Sequence, residues 1–225
     1  MSTRAGIFDL DGTLIDTYDA HFEAWKTACV PYGVAVTTES FARDFGRANP
    51  PIIQALWKDQ NLQPPDEALI ARVADEKEAL FRDILAQDFR PMPGAVALLR
   101  SLAENDWLLG IGTSAPQANL DQGINGLGIR DIIGATTCGE EVQQGKPDPE
   151  VFLKCAQRLG VTPAQSVVVE DAPAGIEAAK RAEMASIGLA SKGRTRNELQ
   201  DADLVIDSLE EIDRLTFSKL IDSGH

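Results

Sequence analysis

Basic residues, cysteines and long apolar runs are all scarce in this chain, and each shortage removes a class of function. Lys and Arg number 21 against 35 Asp and Glu in 225 residues, a formal net charge of −14. Nucleic acid demands a basic patch, so a nucleic-acid partner is not expected. An anionic substrate would have to be met locally, by a cation or a few placed basic groups. The three cysteines (Cys29, Cys138 and Cys155) are an odd number without close spacing. That pattern suggests neither a disulfide framework nor a zinc cluster, and reduced thiols in a cytoplasmic protein are the expectation. No apolar run approaches the roughly 20 residues that cross a bilayer, so no membrane association is expected. Met1 to Arg4 leads into a short apolar stretch, without the h-region and cleavage site of a signal peptide. The composition is otherwise that of an ordinary globular protein, long enough for one or two domains with a sizeable core.

Short apolar runs alternate with helical patterns along the chain. Ala5 to Phe8, Trp107 to Gly112, Ile132 to Thr137 and Ser166 to Val169 read as strands, joined by Met184 to Leu189 and Leu204 to Ile206. Continuous apolar runs of this length belong to parallel sheets covered on both faces. Amphipathic patterns over Gly94 to Glu104, Pro149 to Leu159 and Gly175 to Ala182 fall between them. The alternation predicts an α/β fold, a doubly wound, Rossmann-like parallel sheet. From about Tyr18 to Arg90 no strand pattern is found. Helical patterns cover Ala20 to Tyr32, Thr38 to Phe45, Pro51 to Trp57 and Asp66 to Leu85, punctuated by Pro50-Pro51 and Pro64-Pro65. This predicts an all-helical domain, 17–91, inserted into a core domain made of 1–16 and 92–225.

The carboxyl ends of the strands of such a sheet form its ligand site. Asp9-Leu10-Asp11-Gly12-Thr13 follows the first strand, and Thr113-Ser114 the second. Lys146 lies in the stretch after the third, and Glu170-Asp171 ends the fourth. Carboxylates from separate loops repel one another when they converge, and a hard divalent cation with oxygen ligands, Mg2+, resolves that repulsion. With a cation and Lys146 together, the site could hold a phosphate in spite of the acidic chain. Asp9 and Asp11 alternate along an extended segment, so both can face the same side. One can act as a nucleophile while the other moves protons.

Phe8-Asp9-Leu10-Asp11-Gly12-Thr13-Leu14-Ile15-Asp16-Thr17 resembles motif I of the haloacid dehalogenase (HAD) superfamily. Thr113-Ser114 resembles motif II, Lys146 motif III and Glu170-Asp171 motif IV, in the same order and spacing. The helical insert resembles the C1 cap of the β-phosphoglucomutase-like group, as do His21 and Trp25 at the cap entry and Val168 to Ile176. The resemblance implies an Mg2+-dependent phosphatase acting on a small phosphorylated metabolite, a sugar phosphate, through an aspartyl-phosphate. It implies that Asp9 is the nucleophile and a metal ligand, and that Asp11 is the general acid/base and a metal ligand through its backbone carbonyl. Asp171 becomes a direct metal ligand and Glu170 one acting through water. Thr113, Ser114 and Lys146 hold the phosphoryl oxygens, with Asn119 a further candidate nearby.

Four cap residues are candidates for substrate contact: His21, Arg47, Asn49 and Lys77. Lys77 lies in a charged helix, where a solvated salt-bridge partner is the alternative reading. Arg47 and Asn49 are expected in a loop. Asn49 stands where the β-phosphoglucomutase pattern has an arginine, and Pro50-Pro51 stand in place of acids. A mutase must grip a second phosphate, so this departure favours a phosphatase over the alternative, a sugar phosphomutase. A third reading, a non-catalytic binding domain, is opposed by the complete Asp9, Asp11, Lys146 and Asp171 set. Glu183 stands where the family places glycine, and a change in how the preceding helix ends is expected. A monomer is expected, with oligomeric state left open.

Overall fold

The computed structural model describes residues 3–224. Among the described residues six strands form one sheet: Ala5–Phe8 (β1), Leu108–Gly112 (β2), Ala135–Thr137 (β3), Ser166–Glu170 (β4), Ala185–Leu189 (β5) and Leu204–Ile206 (β6). Their order is β3-β2-β1-β4-β5-β6 and every pairing is parallel. β1, β4 and β5 are buried along their whole length, which is why they read as unbroken apolar runs. The chain runs outward from β1 to β3, then returns to place β4 on the other side of β1. The reversal makes the β1–β4 edge the switch point, where open α/β sheets bind ligands.

Five helices belong to the same unit: Ala95–Glu104 (α5), Gln117–Leu127 (α6), Glu150–Leu159 (α7), Pro173–Arg181 (α8) and Arg214–Ser223 (α9). The inner face of α7 (Val151, Phe152, Cys155 and Ala156) packs with Ile7 and Val168 of the sheet and Ala178 and Ala179 of α8. Contacts divide the chain into two compact units, one reaching Asp16 and resuming at Arg90, the other Thr17–Phe89. The two connecting segments run side by side in the first unit. Asp16 N–H donates to the Arg90 carbonyl at 2.9 Å, and Met92 N–H to the Leu14 carbonyl at 2.9 Å.

The second unit is helical throughout, as its sequence pattern predicts: Tyr18–Cys29 (α1), Thr38–Asp44 (α2), Asn49–Asp59 (α3) and Glu67–Gln87 (α4). Trp25, Phe41, Ile53, Leu56, Trp57 and Val73 form its core. Thr37 and Ser40 cap the start of α2 reciprocally, and Asp66 accepts the Leu69 N–H at 2.8 Å to start α4. The proline pair does not delay α3 as expected. Pro50 and Pro51 lie in its first turn, where no N–H is needed, so Asn49 begins the helix. Only Arg47 of the two residues expected in a loop stays in one.

The end of α8 also corrects an expectation. Glu183 takes up the left-handed conformation itself, at φ 58°. Its N–H donates to the Lys180 carbonyl at 3.0 Å and Met184 N–H to the Ala179 carbonyl at 3.1 Å, the usual pair of bonds after a left-handed helix cap. Burial of Met184 against the α8 face holds that geometry, so the helix ends as it would with glycine and the strain falls on Glu183. Glu183→Gly should therefore stabilise the protein by about 0.5–1 kcal/mol, because it relieves the left-handed penalty and removes an acid from a helix C-terminus. A urea titration checks this, and a lower midpoint in the variant would contradict it.

Candidate active site

Phe8 and Val169 are register partners, so Asp9 and Glu170 leave adjacent strands side by side. Asp9 N–H continues the ladder to the Val169 carbonyl at 2.9 Å. Lys146 arrives from the stretch after β3, and its Nζ lies 2.6 Å from Asp9 Oδ1 and 2.7 Å from Glu170 Oε1. All three side chains are under 10% exposed. Glu170 is held from its other oxygen, where Oε2 accepts the Ala172 N–H at 2.7 Å. Gly175, in the first turns of α8, packs against that carboxylate so closely that any Cβ would collide with it.

Asp171 is also buried. Thr13 Oγ1 donates to its Oδ1 at 3.4 Å and Ser191 Oγ to its Oδ2 at 3.5 Å. Ser191, just past β5, was not singled out from the sequence, although its place after a strand end is the same signal that marked Thr113. Gly12 turns the chain between Asp11 and Thr13 at φ 76°, and a side chain there would strike the Asp171 carboxylate. Asp11 is half-buried in this turn, which Gly12 N–H to Ile15 carbonyl closes at 2.9 Å. Thr113 is buried, with Oγ1 accepting the Ala115 N–H at 3.1 Å. Ser114 is half-buried and Asn119 buried at the start of α6.

Carboxylate oxygens of Asp9, Glu170 and Asp171 can all lie within 4.8 Å of one another. Burial pushes the Asp9 carboxyl up to about 7, against the pull of Lys146. Burial, with Glu170 and Asp9 nearby, also drives the Asp171 carboxyl well above the ordinary range. The Lys146 ammonium is held above its usual range, because Asp9 and Glu170 outweigh the cost of its burial. Lys146 stands among three buried carboxylates, and the charge of Arg194 also acts on Asp171. An all-oxygen donor set of this kind fits a hard divalent cation.

The helical unit gathers three of its four candidates around a residue the sequence reading passed over. Lys77 is buried on α4, not solvated as the alternative reading had it, and its Nζ lies 2.7 Å from Glu78 Oε1 and 2.8 Å from His21 Nδ1. Asn49 Nδ2 donates to the same Glu78 oxygen at 2.8 Å. The His21 ring stacks on Phe81 with centroids 3.9 Å apart. Lys77 and His21 outweigh the burial of Glu78 and hold its carboxyl below the usual range. Arg47 stands apart, exposed and paired with Asp44 at 2.9 Å.

The profile of the haloacid dehalogenase-like hydrolases matches residues 6–189. The chain belongs to this family. A phosphorylated carbohydrates phosphatase of Thermotoga maritima is 32% identical to this HAD-like chain over 179 residues, 80% of the chain and 81% of that protein. A fructose-1-phosphate phosphatase of Escherichia coli is 34% identical over 181 residues, 80% of the chain and 93% of that protein. The β-phosphoglucomutase of Clostridium difficile superposes with a TM-score of 0.88 at 27% identity, covering 98% of both chains. Among the described residues no helix of this HAD-like hydrolase is long and apolar enough to cross a membrane.

Proposed function

We propose that this HAD-like hydrolase is an Mg2+-dependent phosphatase of a sugar phosphate, working through an aspartyl-phosphate. Residues 1–16 and 92–225 form its catalytic domain and 17–91 its cap, acting as a cytoplasmic monomer. The observation that carries this reading is Lys146, bonded at once to Asp9 and Glu170 beside Asp171 at the switch point of the sheet. Phosphoryl transfer needs positioning and charge neutralisation more than covalent novelty, and this cluster supplies both. Two of the phosphatases related to it, one for phosphorylated carbohydrates and one for fructose 1-phosphate, lend the substrate class.

In this reading Asp9 attacks phosphorus in line with the ester oxygen, and the alcohol leaves with a proton from Asp11. Asp11 then takes a proton from the water that attacks the acyl phosphate, which returns Asp9 and releases orthophosphate. Lys146, Thr113 and Ser114 hold the phosphoryl oxygens. Asp9, Asp171 and the Asp11 carbonyl would hold Mg2+, with Glu170 behind a water, and the ion would neutralise charge on the transferring group. Substrate recognition falls to His21, Arg47, Asn49 and Lys77 of the cap. The solved β-phosphoglucomutase makes a phosphomutase the second reading. Against it, Asn49 offers no cation, whereas a mutase has a second phosphate to grip.

The Asp11 assignment predicts a leaving-group effect. Asp11→Asn should remove most turnover of sugar phosphates, whose alkoxides need a proton to depart. It should cost activated aryl phosphates about ten times less, since their leaving groups depart unprotonated. Steady-state rates on both substrate types decide it, and equal losses would remove Asp11 from the proton-transfer role.

A further inference from the structure

The proposed chemistry needs Lys146 held firmly, yet Lys146 lies in residues 142–149, which form neither helix nor strand. The support comes from α7. Glu150, Lys154 and Arg158 are spaced four apart and so share one face of that helix. Arg158 forks the Glu141 carboxylate, Nη2 to Oε1 at 2.6 Å and Nη1 to Oε2 at 3.0 Å, and also donates to the Thr136 carbonyl. Lys154 Nζ donates to the Glu141 carbonyl at 2.6 Å and pairs with Glu150 Oε1 at 2.5 Å. Glu150 Oε2 accepts the N–H groups of Gln143 at 2.8 Å and Gln144 at 3.1 Å. On the far side of Lys146, Glu150 N–H donates to Asp148 Oδ1 at 3.0 Å, and Asp148 N–H to the Gly145 carbonyl at 3.1 Å.

Three turns of one helix therefore grip the segment from the end of β3 up to two residues before Lys146. The opposite face of α7 is fixed in the sheet core, so the grip is anchored to the same body that carries Asp9 and Glu170. The ion pairs are part-exposed and contribute little to global stability. Their consequence is geometric.

We infer that Glu150 is a positioning residue for Lys146, acting by accepting two backbone N–H groups of the segment that delivers the lysine to the phosphate. The inference rests on the phosphatase reading only in giving Lys146 a phosphoryl group to hold. The test is orthophosphate binding by calorimetry with Mg2+, together with kcat and KM on a hydrolysed sugar phosphate, in wild type, Glu150→Ala, Glu150→Gln and Arg196→Ala. Glu150→Ala should weaken orthophosphate binding about tenfold and lower kcat/KM to match, with a melting temperature within about 2 °C of wild type. Glu150→Gln keeps an acceptor oxygen but loses the charge paired with Lys154, and should restore most of the loss. Arg196→Ala breaks a more exposed pair with Asp207 away from this segment and should change nothing. Wild-type binding by Glu150→Ala overturns the inference, and so does a Gln variant as weak as the Ala variant. A wild-type protein that binds orthophosphate but hydrolyses no ester would defeat the phosphatase reading alone and leave the binding comparison intact.

Discussion

Asp9→Asn is expected to lower turnover of any phosphate ester by about 10⁴-fold or more, with the fold intact. An amide cannot serve as the attacking carboxylate, and nothing else near phosphorus replaces it in the proposed route. The same variant should alter the pH dependence of stability. Burial disfavours the charge of Asp9 and pushes its carboxyl up to about 7 in the folded protein, well above the ordinary carboxylate range. A raised pKa contributes stability that is complete below about 4 and lost as pH rises through about 7. Without added metal, wild type should lose stability across that window, and Asp9→Asn should lose less, the remainder coming from Asp171, which burial also raises. Thermal melts from pH 4 to 8 in EDTA read this directly. Activity surviving in purified Asp9→Asn would end the nucleophile assignment.

Lys146→Ala carries the second large effect. The ammonium bonds two buried carboxylates, and removing it leaves both uncompensated. Breaking a buried pair from one side costs about 3–5 kcal/mol. The loss should be severe in EDTA and largely recovered by millimolar Mg2+, because a divalent cation bound by the remaining carboxylates restores the missing positive charge. Turnover should fall about 10²-fold or more even with metal present, since a phosphoryl-oxygen partner is gone. Melting temperatures with Mg2+ and with EDTA check the first part. A variant that melts like wild type in EDTA would show that Lys146 does not balance this cluster.

The core-domain part of the candidate site was legible because parallel strands deliver their polar ends to one edge. Asp9, Asp11, Thr113 and Glu170-Asp171 each follow an apolar run whose burial the sequence betrays, so their convergence needs no knowledge of long-range contacts. Lys146 was found by its motif, but its bond to Glu170 was not, since nothing local distinguishes a carboxylate that waits for a metal from one that a lysine holds. Lys77 shows the limit more sharply. Asp75-Glu76-Lys77-Glu78 reads as a solvated face, and only the packing of α4 against α1 brings His21, 56 residues away in sequence, to the lysine. Helix α6 was missed because Gly123 and Gly126 weaken its pattern, while burial of Leu120, Ile124 and Leu127 holds it in place. Glu183 misled for a related reason. Local preference forbids a left-handed glutamate, and tertiary burial of Met184 enforces one.

The most direct test of the central claim is turnover of a panel of sugar phosphates with Mg2+ and with EDTA, following released phosphate and isomerised sugar phosphate in parallel. The cluster of Asp9, Glu170 and Asp171 around Lys146 predicts phosphate release from a few members of the panel, abolished by EDTA, with no isomer accumulating. Isomerisation without net phosphate release would contradict the hydrolase reading and move the chain to the phosphomutases.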